Sequence, residues 1–572
     1  MREVLLRKRI ILFSIFLLGI LTAIFIVRYE ISINEKSKIA DDVPELVFSR
    51  ESGFYDDFEL TIKSKKGGGT IYYTLDSSTP SVESNVYREA IKISDASNNE
   101  NIYSARDDVS TGYYSDLISQ NSIEPDPEYK VPSDNVDKCT VVRAMVVYED
   151  GTSSDVKTAS YFVGFDDKPG YKDMNYISIV TAPGNLFDYE NGIYVTGKAF
   201  DEYTKSPEFG TEAAKYWYQW ISNYSAENSI EKLASVQFFD KNGELKLSQK
   251  CGIDIHGGGS RGFNPKAINL NAREEYDGSR YFKANFFEDD LKTDKMVLFC
   301  GGNDYYTRAR DYIVNVLTKD MNFTTVQFEP YVLFLDGEYW GVYFLNDKVN
   351  NDYLLHNYGV PRSNCVMFKG NRIVVGLEED FSLVEEFFTD FPADCSNQES
   401  YEKAKSMIDV DSAVDYLAVM FWISRTRDWP NANFGIWRSR ENDNSNYCDC
   451  KWRFVLYDVN SASITTNLVK EDSIGHAEEM MPIFASLLSN DEFRNRVLDR
   501  MLELSSNEFS EENLEKITSQ FRALMTEPMK ANNKRFFGGE PKGHSFDEEM
   551  KDIEDFFKQR REYIPELVEK YR

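Results

Sequence analysis

The chain carries an Arg-Asp pair, four residues and an Asn (Arg427-Asp428, then Asn433), and an apolar run ending in Asp follows (Arg453-Phe454-Val455-Leu456-Tyr457-Asp458). That is the spacing phosphoryl transfer requires. One carboxylate, Asp428, belongs beside an acceptor hydroxyl. The amide oxygen of Asn433 and the carboxylate of Asp458 are hard oxygen donors, of the kind that hold Mg²⁺ or Mn²⁺ against a polyphosphate. Position and charge supply nearly all of such catalysis. Taken alone, the same residues also describe a loop followed by a strand with a polar end, so the elements around them must decide.

Upstream, Ser412 to Ile423 reads as a helix that buttresses the Asp428 loop, with Ala413, Leu417, Met420 and Phe421 at helical spacing and Asp411 as its N-cap. Asp336-Gly337 is a tight turn between the strands Tyr331–Leu335 and Tyr339–Leu345. The run His256-Gly257-Gly258-Gly259-Ser260-Arg261 is a glycine-rich turn whose N–H groups can approach an anion, with Arg261 and Lys266 adding fixed positive charge. Trp340 and Trp437 read as packing residues, and Glu378-Glu379-Asp380 as an exposed acidic face or a meeting point for a basic substrate. Residues 511–572 read as helical, charged and mostly solvated.

A length of 572 residues calls for two or more folded units. The formal net charge of −30 argues against a nucleic-acid partner. Seven cysteines at scattered positions give neither a disulfide framework nor a zinc spacing, and the four histidines are out of helical reach of one another. Any metal is therefore expected to be oxygen-bound, Mg²⁺ or Mn²⁺. The apolar run Ile10–Val27, preceded by Arg2, Arg7, Lys8 and Arg9, reads as a transmembrane signal anchor with residues 1–9 cytoplasmic and a linker over 28–42. The bulk of the chain is then expected outside the cytoplasm.

Residues 43–164 alternate in short strands with turn residues and predict a small, Ig-like β-sandwich. The run Gly69-Thr70-Ile71-Tyr72-Tyr73-Thr74-Leu75-Asp76, with Ser78-Thr79-Pro80, Tyr87, Val142-Arg143-Ala144 and the closing Ser160-Tyr161-Phe162, resembles the C-terminal sandwich module of chitobiase (β-hexosaminidase)-like enzymes. A polar insertion from about Ser94 to Val136 interrupts it. Further on, Ile253-Asp254-Ile255-His256 with the glycine turn, Pro265-Lys266-Ala267-Ile268-Asn269-Leu270, Tyr331–Leu345, Asp428-Trp429 with Asn433-Phe434-Gly435-Ile436-Trp437, Lys451–Asp458 and Phe484–Arg494 resemble the spore-coat protein H (CotH) kinase family, in order. That resemblance covers about 173–545, with 546–572 left as a C-terminal helix.

The resemblance implies an atypical protein-kinase fold that uses ATP and Mg²⁺ or Mn²⁺ to phosphorylate Ser or Thr of surface or spore-coat proteins. By position, Asp428 would be the catalytic aspartate, Asn433 and Asp458 the metal ligands, Lys266 the phosphate-binding lysine and Arg261 its helper. Two departures stand out. Asp347 occupies the place where a Glu partner for Lys266 is expected, and Val459-Asn460 follows Asp458 where a second carboxylate is common. The expectation is an α+β, membrane-anchored kinase with a protein substrate that is Ser/Thr-rich and basic. The alternative is an inactive cell-surface scaffold that binds cell-wall polysaccharide.

Overall fold

The computed structural model describes residues 46–111, 129–165, 168–171, 173–209, 211, 220–287, 292–443, 445–460 and 463–572. The apolar run Ile10–Val27 lies outside them. Among the described residues no helix is long and apolar enough to cross a membrane. The chain is mixed α+β and divides into two compact units.

The first unit comprises Phe58–Ile93 and Val142–Ala159 with the described part of Met1–Glu51. It is built of short antiparallel ladders. Leu46–Phe48 pairs with Ile62–Ser64, Phe58–Leu60 with Ile91–Ile93, and Thr70–Thr74 with Arg143–Val147. Alternate side chains (Leu46, Phe48, Leu60, Ile93, Val142, Val146) are buried, as a period of two dictates.

The second unit takes Ser52–Asp57, Ser94–Val141 and Ser160–Arg572. The polar insertion read as an interruption of the sandwich therefore belongs here. Buried Glu338 accepts hydrogen bonds from the backbone N–H groups of Ile102 (2.6 Å) and Ser104 (2.7 Å). Cys139 N donates to Gly337 O and Tyr339 N to Asp137 O, both at 2.9 Å. Lys138 ties the strap to itself through Asn99 O, Asn101 Oδ1 and Val136 O. A polar composition marks this segment as a loop, but its partners are charges far along the chain.

Seven strands of this unit close into a barrel: β1 (Asn175–Val180), β2 (Lys232–Phe239), β3 (Leu245–Ile255), β4 (Ile268–Asn271), β5 (Lys295–Phe299), β6 (Phe328–Leu335) and β7 (Glu338–Asp347). The order is β1-β2-β3-β4-β5-β7-β6, with β6 returning parallel to β1. Ile253, Ile255, Ile268, Leu270 and Leu298 fill the interior, while Asp254, Asn269 and Asn271, at alternate positions, face outward. Asp336 (φ 48°) and Gly337 (φ 91°) make the expected tight turn between β6 and β7.

Beyond the barrel, β8 (Cys365–Lys369), β9 (Arg372–Val375), β10 (Gly435–Ser439) and β11 (Arg453–Phe454) form a sheet ordered β9-β8-β10-β11. Six helices matter for the site: α1 (Ala309–Thr318), α2 (Phe381–Asp390), α3 (Val410–Trp422), α4 (Asp491–Ser506), α5 (Glu511–Phe537) and α6 (Phe546–Tyr571). The N-cap of α3 is Asp409, whose carboxylate accepts from Ser412 N at 3.1 Å; Asp411 instead pairs with Arg496 of α4. Nor is the C-terminal stretch mostly solvated. In α6, Phe546, Met550, Ile553, Phe556, Phe557 and Ile564 are buried, and fully buried Arg560 donates to the carbonyls of Phe421 (2.7 Å), Trp422 (3.0 Å), Val469 (2.5 Å) and Glu471 (3.1 Å). Arg560 thus satisfies the C-terminal carbonyls of α3, immediately ahead of the Asp428 loop.

Candidate active site

The loop from Ser424 to Asn433 hangs between α3 and β10. Arg425 N donates to Met420 O (3.0 Å) and Asn433 N to Asp428 O (2.7 Å), so the stretch carrying both predicted residues is closed on itself. Trp429 anchors it. Its ring is buried, its Nε1 donates to Tyr416 Oη (2.8 Å), and it stacks on Phe484, while its carbonyl meets His476 Nε2 at 2.8 Å. Asp428 itself is exposed, at φ 54°, on the solvent side of a rigid base.

Strand pairing brings in the other two. Ile436 is opposite Phe454, and Val455 N donates to Gly435 O at 3.0 Å. Beyond that pair both chains leave the sheet, Asn433 into the closed loop and Tyr457-Asp458 into an irregular segment. Asp458 takes a left-handed backbone (φ 55°), and its carbonyl accepts from Arg425 Nη2 at 3.0 Å. Arg425 is fully buried, and among the described residues its Nε and Nη1 have no hydrogen-bond partner.

The second carboxylate that the sequence lacks at position 460 arrives from α1. Asp311 accepts from Val459 N (2.8 Å) and from Asn460 Nδ2 (2.6 Å), and the same amide nitrogen reaches Asp458 Oδ1 at 2.8 Å. Asn460 Oδ1 accepts from Asn303 N at 2.9 Å. Gly302 must be glycine at this close approach: its φ is 56°, and a Cβ there would lie 2.8 Å from Asn460 Oδ1. Burial, with Asp458 beside it, pushes the Asp311 carboxyl up to about 7.

Cations gather opposite these acids. Lys369 ends β8 in register with Gly435 of β10, and its ammonium lies 3.6 Å from the centre of the Tyr457 ring. Burial, helped by the repulsion of Lys348 and Arg372, pulls it down to about 8 against the attraction of Asp458. Arg261, Lys348 and Lys369 also act on His256, which burial first and then these charges hold at about 3, neutral, with its Nδ1 2.9 Å from Asn269 Oδ1. Asp254, the acid on this face of the barrel, is engaged by Asn269 (2.7 Å) and Asn271 (2.9 Å).

Of the sequence-predicted residues, Asp428 and Asn433 share one closed loop, Arg425 of that loop holds the Asp458 carbonyl, and Arg261 donates to Gly257 O (2.6 Å) and Tyr224 O (3.1 Å). Lys266 is placed differently. Its parity along the β4 segment turns it inward, where the ammonium donates to Arg261 O (3.0 Å) and Phe263 O (3.4 Å) and lies 3.8 Å from the centre of the Tyr224 ring. Burial lowers it to about 7. Asp347 is not its partner; that carboxylate accepts from Gln327 N at 2.9 Å. Lys266 therefore fastens the glycine turn from beneath and sets the place of Arg261. Sequence reasoning missed Asp311 and Lys369. The second left a signal, an apolar strand Cys365–Phe368 ending in Lys369-Gly370-Asn371-Arg372, two cations around a Gly-Asn turn.

The donor chemistry fits a nucleotide polyphosphate with a hard divalent cation. Arg425 and Lys369 supply positive charge near Asp458, and Asp458 and Asn433 carry the hard oxygen donors. Among the described residues no group of three or more His, Cys, Asp or Glu is placed to hold a metal by protein ligands alone. A barrel lobe and a helical lobe meeting at a loop-borne Asp, with a metal-type Asp at the end of the adjacent strand, define a kinase-like protein. The family model described as CotH kinase protein matches residues 253–564, more than half of the chain, and the chain belongs to that family. A model described as Fn3 associated matches residues 60–161, the sheet-rich stretch upstream. No curated protein matches the chain.

Proposed function

We propose that the protein is a membrane-anchored, extracytoplasmic protein kinase that transfers the γ-phosphoryl group of ATP to Ser or Thr hydroxyls of surface or coat proteins. The observation that supports the reading is the setting of Asp458: its carbonyl is held by Arg425 of the Asp428 loop, its turn is braced by Asp311, and the Lys369 ammonium lies over the ring of neighbouring Tyr457. Bound ATP with Mg²⁺ or Mn²⁺ would supply the phosphoryl group and the charge that neutralises its oxygens.

The residues divide the work. Asp458 and Asn433 offer oxygen ligands to the cation. Lys369 and Arg261 offer positive charge to the phosphates, with Lys266 holding the turn that carries Arg261. Asp428, exposed on its pinned loop, accepts the proton of an incoming hydroxyl and orients its oxygen. The test is transfer of labelled γ-phosphate from ATP, with Mg²⁺ or Mn²⁺, by the full chain in detergent to itself and to a Ser-rich basic protein. Metal-dependent label on either acceptor supports the reading. Absence of both transfer and nucleotide binding replaces it with a cell-surface scaffold whose partner is cell-wall polysaccharide.

A further inference from the structure

Helix α2 buries Val384 and Phe387 and turns Phe381, Glu385 and Phe388 outward along one stripe, at i, i+4 and i+7. Phe381 is 39% exposed and Phe388 40%, and Leu377, just ahead of the helix, is 54% exposed. Single exposed apolar residues are ordinary, but three in line beside the loop that carries Asp428 and Asn433 mark a contact surface. The rim position is set by ring packing. The Phe381 ring lies 6.1 Å from that of Phe368, and the Phe388 ring lies 6.5 Å from Phe368 and 6.4 Å from Phe434. Phe368 points to the face of β8 opposite Lys369, so the link to the site runs through Phe434, which follows Asn433 and packs on the Phe484 ring that stacks on Trp429.

The stripe is acidic as well as apolar. Glu378 and Glu385 lie along it, and Glu386 and Asp390 widen it. Among the described residues none of these four carboxylates is paired with a cation, whereas Asp380, next to Glu379, is taken by Arg440. Such a surface repels the nucleotide and repels a second copy of itself. It attracts a chain that brings both an apolar anchor and positive charge.

We infer that the α2 stripe docks the acceptor protein, gripping a segment in which a large apolar side chain is flanked by lysine or arginine and thereby holding a nearby hydroxyl at Asp428. The inference rests on the phosphotransfer reading for its purpose, but the docking itself is measured without nucleotide. The apolar side chain fills the gap between Phe381 and Phe388, and the flanking cations meet Glu378 and Glu385.

The probe is a fluorescein-labelled peptide of alanine and serine with one leucine between two pairs of lysines, titrated against the full chain in detergent and read by anisotropy. Two control peptides replace the leucine with serine or the lysines with glutamate. The expected result is at least tenfold weaker binding of both controls, a similar loss in Phe388→Ser, and in Glu385→Lys a reduced preference for the lysine peptide over the glutamate peptide. Glu385→Lys exchanges one exposed charge and leaves the packing intact, so it answers even if Phe388→Ser fails to fold. Equal binding of the three peptides, or an unchanged preference in Glu385→Lys, overturns the inference. A chain that discriminates the peptides but moves no labelled phosphate keeps the docking surface and loses the kinase reading. One that labels itself without discriminating them does the reverse.

Discussion

Lys266 and Lys369 are both lysines drawn down by burial, yet their surroundings give them different work. Lys266 donates to two carbonyls and, among the described residues, faces no acid, so its charge is a burden on the fold. In the unfolded chain it keeps its proton up to about 10.5, and in the fold only up to about 7. Between those values the unfolded state binds the extra proton, so stability rises with pH and levels off above the unfolded value. The melting temperature of the wild type minus that of Lys266→Met should accordingly increase from pH 7 to pH 10; a constant difference would contradict the burial argument. Asp311 makes the complementary case, since it touches the Asp458 turn and braces it. Asp311→Asn should weaken Mn²⁺-dependent ATP binding on the order of tenfold, as for other groups that orient metal ligands, with little change in melting. Calorimetric titration measures the first and a thermal melt the second.

At the scale of elements, α6 is the support that the site most depends on. Arg560 closes four carbonyls at the end of α3 and in the segment beyond Asp458. Arg560→Met removes this donor from all four, leaving Phe421 O with Ser473 Oγ (2.8 Å), and should cost about 3 kcal/mol, read from urea unfolding; a loss under about 1 kcal/mol would show that water takes over the role. The helices and the β6–β7 hairpin were legible in the sequence because each is encoded by local spacing, apolar period and turn residues. What was not legible depends on distant partners. Nothing local distinguishes Asp411 from Asp409 as the cap of α3 except that Arg496 of α4 claims the former. The outward parity of Asn269 and the inward parity of Lys266 emerge only once the barrel closes. The strap Ser94–Val136 reads as a loop in one module until Glu338, more than two hundred residues on, receives its N–H groups.

For the whole molecule, the formal charge of −30 and the basic residues ahead of Ile10–Val27 are consistent with an anchored chain whose acidic body faces outward. In intact cells or spheroplasts, protease added from outside should degrade the body of the protein; full protection, with degradation only after lysis, would contradict that orientation. The central claim is narrower, that Asp458 holds the metal while Asp428 serves the acceptor hydroxyl. It is tested most directly by measuring metal-dependent ATP binding and labelled γ-phosphate transfer side by side in the wild type, Asp428→Asn and Asp458→Ala. The account predicts that Asp428→Asn binds nucleotide like the wild type but transfers on the order of a thousandth as fast, and that Asp458→Ala loses both. Transfer at the wild-type rate in either variant would contradict it.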